Sequence, residues 1–207
     1  MNYLAHFYLA GPEPQALIGS LLGDFVKGRI DDTFPPAVRQ AVIQHRQIDA
    51  FTDSHPIFNR SRQRLGSDLR RFSGILVDVY YDHLLARNWS GYADIPLQSF
   101  VSRVYQVLRT HYADFPVSMQ RSVSYMLAND LLNSYRELKG IRRALTGISG
   151  RLRRANPIAG AVAVLERQDA ELAADFGIFF PELVNYCANF QKVGKVNLQP
   201  KAHPAAK

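Results

Sequence analysis

Apolar residues along this chain recur at three- and four-residue intervals, and alternating apolar–polar runs are scarce. The spacing predicts helices over 14–28, 36–53, 57–65, 68–88, 96–113, 118–138, 140–153 and 158–192. Proline and glycine mark the breaks, at Gly28, Pro35-Pro36, Pro56, Gly66, Gly91, Pro116, Gly140 and Pro157. The last segment is expected to bend at Pro181, because proline removes a helical hydrogen bond and crowds the preceding turn. No repeat and no linker-like stretch divides the chain. The pattern predicts an all-α fold, a single-domain bundle of about eight helices over residues 1–193. A polar, small-residue tail over 194–207 is expected to be flexible.

The polar residues that fall on apolar faces are the informative ones. Successive helical residues turn by about 100°. On the 36–53 segment, Val38, Ala41, Val42, Ile48 and Thr52 share a stripe with His45 and Asp49. The last two are four residues apart, so their side chains are neighbours. On the 14–28 segment, Asp24 shares a face with Leu17 and Leu21. On the 68–88 segment, Asp78 and Asp82 share a face with Ile75, Tyr81 and Leu85, and His83 lies about 100° further round. An inward carboxylate is costly unless paired, hydrogen-bonded or bound to metal. Convergence would let these groups satisfy one another. Aspartates with one or more histidines suit a hard or borderline divalent cation, Mn²⁺ or Mg²⁺. The competing reading is a metal-free buried network with Arg46 or Arg62 as its cation. His6 could reach the same cluster or be a satisfied core histidine. Asp53 and His55, at the helix exit before Pro56, could be ligands, a proton donor or part of a turn.

Composition narrows the classes. Apolar residues make up 47% of the 207, so a proper core can be buried and general disorder is not expected. The single Cys187 excludes a disulfide framework and a thiolate zinc site, and suits a reducing, cytoplasmic compartment. Its apolar neighbours place it in the core. No basic leader precedes the apolar N-terminus, and no uncharged apolar run reaches the roughly 18 residues of a membrane span. The formal charge of +7 favours acidic or phosphate-bearing partners. Arg142, Arg143, Arg151, Arg153 and Arg154 could form a basic ridge for such a partner, or an ordinary solvated face. Nucleic acid is the less favoured partner, because the aromatic residues lie mostly on other segments. "GSLLGDFVKG" lacks the Gly-Lys-Ser/Thr ending of a phosphate loop. His111 reads as a surface residue at a helix end, and His203 falls in the tail.

With these residues in view, "MNYLAHFYLA", "GSLLGDFVKG", "HRQIDAFTDSHP" and "VDVYYDHLLARNW" together resemble the acyl-carrier-protein phosphodiesterase family. The similarity runs over most of the chain and is densest in residues 1–90. The resemblance implies an all-α enzyme distantly related to the His–Asp metal-dependent phosphohydrolases. It implies hydrolysis of the 4′-phosphopantetheine group from holo-acyl carrier protein, with a divalent cation, usually manganese. Asp24, His45, Asp49, Asp78 and Asp82 match the motif blocks as site positions, with His6, Asp53, His55 and His83 beside them. No adjacent His-Asp pair occurs; the nearest order is reversed, Asp82-His83.

The chemistry suits these residue types. A phosphodiester anion repels an anionic attacker, and a divalent ion offsets that charge and acidifies bound water. Asp24, His45, Asp49, Asp78, Asp82 and His6 are the expected metal ligands. Arg46 is expected to hold a phosphate oxygen, and His55 or His83, with Asp53 nearby, to supply acid–base help. The arginine ridge is the expected docking surface for the acidic carrier protein. Two other readings stay open: a metal-dependent hydrolase of nucleotides or small phosphodiesters, and a non-catalytic basic helical module.

Overall fold

The computed structural model describes residues 1–197. These form eleven α-helices and short 3₁₀ turns, with no strand among the described residues. The helices are α1 (Tyr3–Ala10), α2 (Pro14–Leu22), α3 (Pro36–Ser54), α4 (Pro56–Arg64), α5 (Ser73–Arg87) and α6 (Leu97–Thr110). They continue as α7 (Val117–Ala128), α8 (Leu131–Ser134), α9 (Leu138–Arg151), α10 (Val162–Arg167) and α11 (Asp169–Asn197). The all-helical expectation holds. The part of the expected tail beyond Asn197, with His203, lies outside the described residues.

The first helix is absent from the periodic reading. Its sequence YLAHFYLA is apolar almost all round, so no face stands out, and Leu4, Ala5, His6, Phe7 and Leu9 are all buried. Its N-terminus is completed from a distance. Both oxygens of Asp82 on α5 accept backbone N–H groups, Oδ2 from Leu4 at 2.7 Å and Oδ1 from Ala5 at 3.0 Å. That satisfies donors which a helix start leaves orphaned.

The predicted 14–28 helix stops at Leu22, so Asp24 sits in the turn that follows. Proline at the first position of α2 suits a helix start, since its missing N–H is unneeded there. A side chain at Gly19 would overlap the Val38 carbonyl and Ala41 on α3, so this glycine lets the two helices pack closely.

The predicted 118–138 helix breaks at Asp130, whose φ of 44° is left-handed and cannot continue a right-handed helix. The predicted 158–192 helix divides into a 3₁₀ turn, α10 and α11. Tyr80 and Arg87 both bond Asp169 Oδ1, at 2.7 and 3.0 Å, fixing the start of α11. The α-helical assignment then continues through Pro181.

One contiguous core joins these helices. Phe176, Phe179, Phe180 and Leu183 of α11 are buried in it, each side chain worth about 1.5–3 kcal/mol by removal from water. A polar knot lies at one side. Asp175, fully buried, accepts from Arg60 Nε at 2.9 Å, Arg64 Nε at 2.8 Å and Ser61 Oγ at 2.8 Å. It ties α11 to α4. Among the described residues no helix is long and apolar enough to cross a membrane.

Candidate metal centre

Three donors meet where α1 crosses α3: His6, His45 and Asp49 each offer a ligand atom, all within 4.8 Å of one another. His6 Nε2 lies 3.1 Å from Asp49 Oδ1, and His45 Nε2 lies 3.2 Å from Asp49 Oδ2. The imidazoles are stacked and buried, while Asp49 is half-exposed, so the cluster forms the floor of a surface site. A side chain at Gly23 would overlap the His45 ring; the bare glycine after α2 makes room for it.

Further carboxylates rim this floor. Asp24 Oδ1 stands 3.6 Å from His45 Nε2. Asp78 and Asp49 face the α-ammonium of Met1, at 2.9 and 3.8 Å. Burial pushes the Asp78 carboxyl upward, opposed by that ammonium and reinforced by the charges of Asp49 and Asp53. Burial also raises Asp24, against the pull of His45. Asp49 goes the other way: burial pushes it up, but the hydrogen bonds of His45 and His6 outweigh this and hold it well below the usual carboxylate range. Burial lowers His6 to about 3, so its imidazole is neutral near pH 7 and has a lone pair to offer.

The donor set fits a divalent cation. Two imidazoles and a carboxylate, with more carboxylates adjacent, form a site in which negative charge exceeds fixed positive charge. His6 Nδ1 and His45 Nδ1 are buried without protein partners, so the rings are held through the face they turn to Asp49.

A family model described as acyl carrier protein phosphodiesterase matches residues 1–183. The chain belongs to the acyl carrier protein phosphodiesterase family. Similar curated proteins include the acyl carrier protein phosphodiesterases of Escherichia coli O157:H7 (strain EC4115 / EHEC) and of Escherichia coli (strain K12 / DH10B). Each is 34% identical over 185 residues, covering 89% of this chain and 96% of the relative. No solved structure matches the chain. The suggested kinship to His–Asp phosphohydrolases thus rests on the sequence resemblance alone.

Within this acyl carrier protein phosphodiesterase fold, the predicted site residues divide. His6, His45 and Asp49 form the centre, Asp24 and Asp78 border it, and exposed Asp53 acts on Asp78 through its charge. Asp82 is not brought into the donor group: it is fully buried behind it, with both oxygens on α1 amides. Burial raises its carboxyl to about 7 even against those amides. His55 caps α4, accepting from the Ile57 N–H at 3.3 Å, with Nε2 3.1 Å from Glu182 Oε2. It stands about 9 Å beyond Asp49 along the chain axis of α3. His83 turns away, its Nδ1 2.7 Å from the Tyr135 carbonyl. The Arg46 guanidinium donates to the Val26 carbonyl at 2.9 Å and so secures the turn that carries Asp24.

The five arginines are all exposed. Arg143 and Arg151 lie toward one side of α9, while Arg142 falls about 180° from Arg151. Arg153 and Arg154 follow the helix end. One residue near the centre has no place in the periodic reading. Tyr3 sits one turn before His6 on α1 and lines a recess with Ser122 and Arg151; burial raises its hydroxyl, and the charge of Asp24 adds to this. The i, i+3 spacing of Tyr3 and His6 was the available signal, hidden because the helix itself was not legible.

Proposed function

We propose that this protein is a metal-dependent hydrolase that removes 4′-phosphopantetheine from holo-acyl carrier protein. The observation that carries this reading is the meeting of His6, His45 and Asp49 within 4.8 Å, in a chain of this family. These three would hold a divalent cation, Mn²⁺ by preference or Mg²⁺, with Asp24 and Asp78 at its margin. When bound, such an ion offsets phosphate charge and makes a water molecule a better nucleophile.

The chain's own residues supply the rest. His6, neutral through burial, and His45 flank the Asp49 carboxylate on two sides, so the three ligand atoms are kept together. Arg46 and Gly23 set the position of the Asp24 turn against His45. In the reaction, a water oxygen forms a bond to phosphorus and the bond from phosphorus to the serine oxygen breaks. The serine oxygen takes up a proton. The products are apo-carrier protein with a free serine and 4′-phosphopantetheine. The exposed arginines, spread around α9 and past its end, offer positive charge to the acidic protein substrate, and the lone Cys187 accords with a cytoplasmic setting.

The test is incubation with holo-acyl carrier protein and Mn²⁺, followed by intact-mass measurement. The expected result is loss of the complete phosphopantetheine mass, abolished by chelation. An unchanged carrier protein, with nucleotides or small diesters hydrolysed instead, would overturn the reading.

A further inference from the structure

A groove runs between α7 and α9, away from the metal centre. Its inner end is a small recess of about 80 Å³ lined by Tyr3 and Arg151 among others. Its outer part, about 440 Å³, is walled by Ser118, Arg121, Ser122 and Tyr125 of α7 and by Gly147 and Arg151 of α9. Ser122, Tyr125 and Arg151 line both parts, so the two adjoin at these side chains. The outer volume lies in the range of about 300–1,000 Å³ usual for small-molecule sites.

The inner end comes nearest the candidate centre at Tyr3, one helical turn from His6. Tyr3 and His6 are three residues apart on α1, so they share a face about 4.5 Å apart along the axis. Burial raises the Tyr3 hydroxyl, and the negative charge of Asp24 adds to this, while Arg151 and Ser122 oppose it from the groove side. Tyr3 thus lines the groove from the same helix that carries His6.

We propose that this groove holds the pantetheine arm of the substrate while its phosphodiester lies at the His6–His45–Asp49 centre. The proposal rests on the reading of function above. The arm is a narrow chain of two amides and a thiol, with one branched apolar carbon, and its only charge is the phosphate at one end. The groove has matching chemistry. Arg151 stands at the phosphate end. Ser118 and Ser122, four apart on α7, offer hydroxyls that donate to or accept from amides along a span of about 6 Å. The Tyr125 ring offers apolar surface beside them. Gly147 keeps the facing wall flat: a Cβ there would lie 3.1 Å from the Tyr125 hydroxyl oxygen.

The first arm of the test maps binding without turnover. Metal-free protein is titrated with 4′-phosphopantetheine, and amide shifts are followed by NMR. Shifts at Ser122, Tyr125, Gly147 and Arg151 are expected; shifts confined to other parts of the surface would overturn the proposal. The second arm uses Gly147→Leu, which fills the groove on a helix that tolerates leucine. Its kcat/KM for holo-carrier protein is expected to fall about 100-fold, with Mn²⁺ affinity unchanged by calorimetry. Turnover equal to wild type would also overturn the groove. Wild-type protein that leaves holo-carrier protein intact, while the groove amides still shift, would sink the functional reading and keep the binding site. Wild-type turnover with shifts elsewhere would do the reverse.

Discussion

The imidazole rings of His6 and His45 stack with centroids 3.9 Å apart and planes 18° from parallel. They come from α1 and α3, and both rings direct Nε2 at the same Asp49 carboxylate. Two stacked imidazoles repel strongly if both are charged. Burial keeps His6 neutral, which allows the stack to persist and leaves the pair suited to bind a cation. Protein contacts alone hold the three donors together, and what supports them should be visible in mutants that touch none of the three.

Gly23 provides such a mutant. In Gly23→Ala the new methyl overlaps the His45 ring, which must move. Mn²⁺ affinity is expected to fall by about 10–100-fold, as for other changes in the shell behind a metal ligand. Calorimetry, with circular dichroism to verify folding, measures this. Unaltered affinity in a folded variant contradicts it.

Titration of Asp82 and His6 should bend stability in opposite directions. Asp82 is raised from 3.8 to about 7 in the folded protein, so the folded state holds the proton more tightly. Its contribution is full below about pH 4 and declines as pH rises to about 7. His6 is lowered from 6.5 to about 3, so its contribution is full above about pH 6.5 and is lost as pH falls toward 3. In chelator-treated protein, Asp82→Asn is expected to gain stability relative to wild type as pH rises across its window. His6→Asn is expected to gain as pH falls across its own. Urea midpoints from pH 4 to 7.5 test both, and parallel curves for variant and wild type would refute the assignments.

Asp175 ties α11 to α4 through three donors, and its removal should act on stability rather than chemistry. Asp175→Ala leaves Arg60 and Arg64 without their shared carboxylate, an effect of about 1–2 kcal/mol because the half-exposed Arg60 and partly exposed Arg64 turn to water once unpaired. Denaturant unfolding measures the loss. Mn²⁺ affinity of the folded fraction at low temperature should stay at the wild-type value.

Exposed arginines should govern encounter with carrier protein. Raising salt to about 1 M shortens the screening length to about 3 Å. The apparent KM for holo-carrier protein is expected to rise about tenfold or more with kcat little changed. Steady-state kinetics across salt concentrations decide this, and a KM indifferent to salt would remove the docking role.

Sequence periodicity was enough to establish an all-helical chain, because three- and four-residue spacing of apolar side chains belongs to a helix with one buried face. The same spacing turned His45 and Asp49 to the inside, and the motif blocks pointed to the family. It did not reveal α1, where burial on nearly every side erases the contrast that periodicity needs. Nor could it decide which partner an inward acid meets. Asp82 shares a helical face with Asp78, yet it meets amides 78 and 77 residues away, while Asp78 meets the Met1 ammonium that also faces Asp49. His55 was likewise drawn to Glu182, 127 residues on. A helix's own repeat sets the direction in which a side chain leaves the axis. Only the packing of helices distant in sequence sets what lies in that direction, and there the centre, the α1 cap and the groove beside Tyr3 were decided.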